Sequence, residues 1–285
     1  MGVSAVAVIG SGLMGRGIAY VAAAGGFQTT LHDVSADALE RAVGQIRRDL
    51  DEGIKRGKLT AEAAAEALKR LRPEQELDTA ATQADFVIEA VPEDLPLKVR
   101  TFARLDELCR EGVVLASNTS ALSITDIASA CRGRDRVIGM HFFNPVPKMK
   151  LVEVVRSKHT SEAAVSATRA VAARMGKETV LVNEAPGFVT SRMNALIGNE
   201  AFLMLEQGVA SAEDIDKAVK LGLNHPMGPF EMVDLVGLDT RLAVLQTLQR
   251  HLGDKYKPAA LLERYVREGR LGKKAGRGVF TYDEK

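Results

Sequence analysis

Cysteine and aromatic residues are scarce in this 285-residue sequence, which has two cysteines, no tryptophan and 5% aromatic residues. Cys109 and Cys131 lack a C-x-x-C spacing, which argues against a metal site or a disulfide framework and fits a reducing cytoplasm. Each reads as a buried small hydrophobe rather than a reactive thiol. No apolar run reaches the ~18 residues of a membrane span, and the first strand pattern starts too early to expect a signal peptide. A formal net charge of +1 leaves no excess of either sign, so neither nucleic acid nor a membrane is an expected partner. What is present is a 46% hydrophobic content, enough for a real core, in a length suited to one large or two ordinary domains.

Glycine is placed with purpose near the start. Apolar residues 5–9 run into Gly10, Ser11, Gly12, Leu13, Met14 and Gly15, and a helical face follows from Ile18 to Ala24. This is the G-x-G-x-x-G spacing of a dinucleotide-binding turn between a strand and a helix. Gly10 allows the sharp turn, Gly12 lets a pyrophosphate approach the backbone, and Gly15 lets helix and strand pack closely. The helix start then offers unpaired N–H groups to the phosphates. A second strand, Gln28 to His32, ends in Asp33. That carboxylate is placed to accept from a ribose 2′-hydroxyl and repels a 2′-phosphate, which favours NAD over NADP. The same turn also fits a Rossmann-like fold that binds FAD or nothing.

The spacing of Leu39, Val43, Ile46, Leu50 and Ile54 predicts a helix over 34–56, and a second helix over 61–71 is stopped by Pro73. Together they read as a helical hairpin added to the dinucleotide fold. Its basic residues are either a solvated face or a contact for an anionic substrate handle. Further strands are expected over 85–91, 113–116, 137–140, 150–155 and 178–182, with helices over 95–109, 124–130 and 163–175. Beyond Pro186 and Gly187 the pattern is helical. The fold class is therefore α/β: a Rossmann-type domain over 1–185 with a helical hairpin insertion, then an all-helical domain over 186–285.

Gly10, Asp33, Glu93, Ser120 and His141 all fall at expected strand ends, where ligands sit in open α/β sheets. His32, His159, His225 and His251 lack such a setting. Glu153 begins a nearby strand, and a carboxylate beside the His141 imidazole fixes its tautomer and suits it to acid/base work near neutral pH. An ordinary buried His–Glu pair would look the same. The residues Ser117, Asn118, Thr119 and Ser120 could orient a substrate oxygen or the nicotinamide amide, or cap the helix that follows.

Gly10 to Gly15, Glu89 to Glu93, Ser117 to Ser120, the His-Phe-Phe-Asn-Pro run from His141, and Lys150 to Val154 closely resemble the 3-hydroxyacyl-CoA dehydrogenases, most of all the stand-alone bacterial 3-hydroxybutyryl-CoA dehydrogenases. Pro186 to Phe188, Pro226 to Glu231 and Asp234 to Asp239 extend the resemblance through the helical part. It implies NAD-dependent, reversible oxidation of an (S)-3-hydroxyacyl-CoA to a 3-oxoacyl-CoA. His141 would be the general acid/base, Glu153 its orienting partner, and Ser120 would bind the substrate oxygen beside the nicotinamide. Glu93, Lys98, Asn144 and Lys274 match cofactor-contacting positions, Asp33 the ribose acid, and Arg56 a basic position that meets coenzyme A. The family commonly has an asparagine where Ser191 stands; a serine makes similar hydrogen bonds but reaches less far. The resemblance also implies a homodimer formed through the helical domain. A dehydrogenase of a non-CoA hydroxy acid or sugar acid, and an NAD(H)-binding protein without turnover, are the other readings of the same scaffold.

Overall fold

The computed structural model describes residues 2–282. Two compact units meet in the chain between Glu184 and Ala185.

The first unit alternates strand and helix. β1 (Ala5–Ile9) turns into α1 (Leu13–Ala24), and β2 (Gln28–His32) leads to α2 (Ala36–Lys55) and α3 (Ala61–Arg70). β3 (Leu71–Glu74), α4 (Leu77–Thr82), β4 (Phe86–Glu89) and α5 (Leu95–Leu108) follow. Then come β5 (Val114–Ser117), α6 (Ile124–Ile127), β6 (Val137–Phe142), β7 (Leu151–Arg156), α7 (Glu162–Arg174) and β8 (Glu178–Asn183). Among the described residues the strands form one eight-stranded sheet in the order β3-β2-β1-β4-β5-β6-β7-β8. Every pairing is parallel except β6 with β7.

Burial explains which stretches became strands. β4, β5 and β6 are buried along their whole length, as expected where helices cover both faces of a parallel sheet. Val8, Ile18, Phe27, Leu31, Ile88 and Val152 belong to one continuous core. α2 adds the stripe Leu39, Ala42, Ile46 and Leu50, and starts where the Ser35 hydroxyl accepts from the Ala38 N–H. Each such side chain contributes about 1.5–3 kcal/mol when fully buried.

Two expectations are corrected here. The helix predicted over 61–71 ends at Arg70, and Leu71–Glu74 instead pairs with β2 at the sheet edge. An edge strand needs hydrogen bonds on one side only, so it tolerates Pro73. β6 runs past Met140 and includes His141, because Gly139 to Phe142 continue the ladder with β7.

The second unit is helical: α8 (Thr190–Glu206), α9 (Ala212–Gly222), α10 (Pro229–Val236), α11 (Leu238–Leu252) and α12 (Ala260–Arg267). Its core is built on Phe202, Phe230, Leu245, Leu248, Tyr256 and Leu262, with Phe202 and Phe230 edge to face at 5.1 Å. Asp234 of α10 closes this unit by accepting from the Val279 and Phe280 N–H groups and the Tyr282 hydroxyl. A Cβ on Gly278 would lie 2.0 Å from its Oδ1.

Candidate active site

The glycine turn has the form that a dinucleotide requires. Gly10 has φ +103°, and a Cβ there would lie 2.7 Å from the Ala90 carbonyl oxygen. A Cβ on Gly15 would fall 1.8 Å from the Gly10 carbonyl oxygen, whereas one on Gly12 would meet nothing within 4 Å. Gly12 therefore leaves open space rather than filling a contact. α1 begins at that residue with no side-chain cap, so its first N–H groups are available to a phosphate. Asp33 stands at the end of β2. Its Oδ2 accepts from the Ser11 N–H at 2.9 Å and the Ser11 hydroxyl at 2.8 Å, and its Oδ1 from the Ser35 N–H. Burial alone would raise its pKa, but these donors outweigh burial and hold the carboxyl below the usual range. It is a fixed anion suited to ribose hydroxyls. Beneath it, burial lowers the pKa of His32, against the pull of Asp33, which favours a neutral imidazole.

Beyond β4 and β5 a polar cluster rises through the crevice floor. Glu89 is 0% exposed and Lys98 is 1% exposed. The Glu89 carboxylate accepts from Lys98 Nζ at 2.5 Å, from the Val91 N–H at 2.7 Å and from the Ser117 hydroxyl at 2.6 Å. Burial pushes the Glu89 carboxyl up, against the pull of the Lys98 ammonium and the other two donors. Glu93 lies above this pair with its side chain 41% exposed. Its Oε1 accepts from the Thr119 hydroxyl at 2.6 Å, the Ser120 N–H at 2.9 Å and the Ser120 hydroxyl at 3.2 Å. Thr119 also caps the following turn through the Leu122 N–H, so the capping function expected of this segment falls to Thr119 and to Ser123, which caps α6.

His141 and Glu153 face each other across β6 and β7 as register partners. Nδ1 of His141 lies 2.7 Å from Glu153 Oε2, with the two residues 7% and 0% exposed. An ionised carboxylate only accepts, so with Glu153 ionised the neutral imidazole carries its proton on Nδ1. Asn118 ties β5 to this strand: its Oδ1 accepts from the Phe142 N–H at 2.9 Å, while its own N–H donates to the Glu89 carbonyl. Asn144 follows on an exposed loop. Lys177 holds that loop by donating to the Val146 and Met149 carbonyls.

Arg56 terminates α2 and pairs with Glu52 at 2.7 Å. Both line a cavity of about 760 Å³, together with Arg16, Lys58 and Lys148. Ser191 and Lys274 belong to the second unit. Ser191 lies in the first turn of α8, and Lys274 reaches both carboxylate oxygens of Asp239 at 2.7 Å. Both cysteines are buried, and burial pushes their thiols up to about 11. Among the described residues no cluster of His, Cys, Asp or Glu could hold a metal ion, and no helix is long and apolar enough to cross a membrane.

Two roles escape sequence reasoning: Glu89 as a cluster centre and Asn118 as a strand tie. For Glu89 a signal exists, because a charged residue inside an apolar strand is seldom buried without a partner.

Residues 5–185 match the family model described as 3-hydroxyacyl-CoA dehydrogenase, NAD binding domain. Residues 187–282 match 3-hydroxyacyl-CoA dehydrogenase, C-terminal domain. The chain is 45% identical over 286 residues to the "Probable 3-hydroxybutyryl-CoA dehydrogenase" of Bacillus subtilis, across 100% of this chain and 99% of that one. It is 41% identical to the 3-hydroxybutyryl-CoA dehydrogenase of Clostridioides difficile, across 98% of this chain and 99% of that one. The crystal structure of (S)-3-hydroxybutyryl-CoA dehydrogenase from Ralstonia eutropha superposes with a TM-score of 0.96 at 42% identity, across 99% of this chain and 100% of that one. The chain thus belongs to the 3-hydroxyacyl-CoA dehydrogenase family of NAD-dependent oxidoreductases.

Proposed function

We propose that the protein interconverts (S)-3-hydroxyacyl-CoA and 3-oxoacyl-CoA, with 3-hydroxybutyryl-CoA as its main substrate. The observation that carries this reading is the His141–Glu153 pair, buried and 2.7 Å apart at the end of the sheet of an NAD-binding domain. NAD, when bound, takes up the hydride that leaves C3. His141 Nε2 accepts the hydroxyl proton as that hydride leaves, and returns it in the reductive direction. Glu153 holds the imidazole in the tautomer that leaves Nε2 basic, and its negative charge favours the imidazolium formed on oxidation. Ser120 donates to the substrate oxygen.

The remaining residues bind. Gly10 to Gly15 take the pyrophosphate and Asp33 the ribose. Glu93, Asn144 and Lys274 match cofactor-contacting positions of the family and are assigned to NAD on that ground, and Ser191 fills the place of the family's asparagine. Arg56 meets the coenzyme A handle. The cavity it lines supports that role, since Arg16, Lys58 and Lys148 make no ion pair among the described residues. A homodimer through the helical unit is supported by its exposed apolar side chains, among them Met193, Val209, Leu221 and Leu223. The catalysed chemistry needs no membrane, and we place the enzyme in the cytoplasm.

Acetoacetyl-CoA with NADH is the direct test, followed at 340 nm and extended to 3-oxoacyl thioesters of C4 to C16. Turnover fastest on the C4 thioester, with free acetoacetate inert, is the expected result. No NADH oxidation by any thioester, or equal rates on the free acid, would overturn the reading.

A further inference from the structure

Lys98 matches a cofactor-contacting position in the family, yet its surroundings already hold most of what it can offer. An ammonium has three N–H donors. Here Nζ donates to Glu89 Oε1 at 2.5 Å and to the Val91 carbonyl at 3.3 Å, and it lies 3.4 Å from Glu93 Oε2 as an ion pair. The side chain is 1% exposed. The one partner of Lys98 that also touches Ser120 is Glu93.

We infer that Lys98, anchored by Glu89, is a positioning residue that sets when the Ser120 hydroxyl is free to donate to substrate. The inference rests on the role proposed above for Ser120. That hydroxyl has one proton, and in this structure it is directed at Glu93 Oε1. It must leave Glu93 to reach a substrate oxygen. Glu93 Oε1 accepts from three donors at 2.6, 2.9 and 3.2 Å, the Thr119 hydroxyl, the Ser120 N–H and the Ser120 hydroxyl, while Lys98 Nζ pairs with Oε2 at 3.4 Å. Of the three on Oε1, the Ser120 hydroxyl is the longest and the least costly to release. Lys98 is the only cation against this carboxylate among the described residues. Its charge lowers the demand of Glu93 for that proton and keeps the carboxylate in place once the hydroxyl has turned away. It also offsets the negative charge of Glu93 beside a developing alkoxide. Glu89 supplies the anchor, since a lysine pinned on one side by a sealed carboxylate cannot swing out into the crevice.

The test uses Lys98→Met, Glu93→Gln, Ser120→Ala, and Lys98→Met combined with Glu89→Gln. The last removes both buried charges together, so no uncompensated charge remains in the fold. Wild-type turnover of acetoacetyl-CoA and a large loss in Ser120→Ala establish the reading beneath the inference. Given those, the combined variant should lose about tenfold or more in kcat, while KM for acetoacetyl-CoA stays within about threefold. Its Kd for NADH, read by fluorescence, should also stay within about threefold. Adding Lys98→Met with Glu89→Gln to Glu93→Gln should cost less than about twofold more in kcat, because Lys98 and Glu93 act on one hydroxyl. A raised NADH Kd with kcat intact at saturation would make Lys98 a direct cofactor contact and overturn the inference alone. Losses that multiply across the Glu93→Gln background would overturn it as well, by making the pair a structural brace. An inactive wild type, or a fully active Ser120→Ala, would remove the reading and the inference together.

Discussion

His141 and Asp33 show how single side chains acquire a function from their hydrogen-bond partners. The imidazole is held through Nδ1 by Glu153 at 2.7 Å. His141→Ala removes the acid/base, which typically contributes ~10²–10⁴-fold. It should lose at least about a hundredfold in kcat while NADH binding is retained. Glu153→Gln should lower kcat by a smaller factor, because the amide can still accept from Nδ1–H but no longer stabilises the imidazolium. Turnover of His141→Ala near wild type would remove the residue from the mechanism. Asp33 supplies a pH test. Its depressed pKa keeps it charged below the ordinary carboxylate value of about 3.9. Its contribution to NADH affinity should therefore be constant from neutral pH down to about pH 4, fading only as pH falls through the lowered value. An affinity that declines between pH 6 and 5 and is insensitive to Asp33→Asn would point to another group. Much of this was legible in residue order: His141, Ser120 and Asp33 announce themselves by type at expected strand ends, and Glu153 by its place in the neighbouring strand. The Glu89–Lys98 contact was not, because it joins a strand to a helix and only packing brings the two side chains together.

At the scale of elements, the glycine turn separates two jobs that one motif hides. A Cβ on Gly12 meets nothing of the protein, whereas one on Gly15 strikes the Gly10 carbonyl. Gly12→Ala should melt close to wild type yet bind NADH many-fold more weakly, since the methyl occupies phosphate space. Gly15→Ala should lose affinity and also about 1–3 kcal/mol of stability. Paired thermal melts and NADH titrations check both, and equal Tm losses in the two variants would contradict the assignment. The elements that sequence reasoning missed are β3 and α4. Leu71 to Glu74 show no apolar alternation and contain Pro73, because an edge strand has one ladder and little burial to encode. Leu77–Thr82 is six residues long, too short for a helical period to register. The long buried strands and the α2 stripe carry their burial in their composition, so these were legible almost to their ends.

Over the whole molecule, acid sensitivity should follow carboxylates that are better solvated by the fold than by water. Asp85 accepts from the Ser4 N–H and hydroxyl, the Ala5 N–H and Arg110. Asp106 accepts from the Arg132 and Gly133 N–H groups and from Arg136. Burial alone would raise both, but these donors prevail and hold both below the ordinary range. A carboxyl depressed on folding adds stability that is fully present above its unfolded value and is lost as pH falls through the folded one. Unfolding free energy in urea should therefore fall in two stages, a shallow one below about pH 6.5, where the unfolded chain protonates His32 and the fold keeps it neutral, and a steeper one below about 4. Asp106→Ala should cost about 1–3 kcal/mol at neutral pH, because the partly buried Arg136 and the Arg132 and Gly133 N–H groups lose their acceptor. That cost should shrink in acid; a cost independent of pH would assign it to packing.

The antiparallel pairing of β6 with β7 has a consequence for insertions and deletions. His141 and Glu153 meet because their strands are in register, and the connection between the strands spans residues 143–150. A residue added within that connection leaves both strand backbones where they are. A residue added inside either strand moves the side chains on one side of it to the opposite face of the sheet. It would send one member of the pair into the core on the far side, with every functional residue type still present. An indel scan should accordingly find the dyad tolerant of length change in the loop and intolerant of it on the far side of the pair, at Met140 in β6 or Val154 in β7. The unit on which selection acts is then the strand register, and the two residues are its readout.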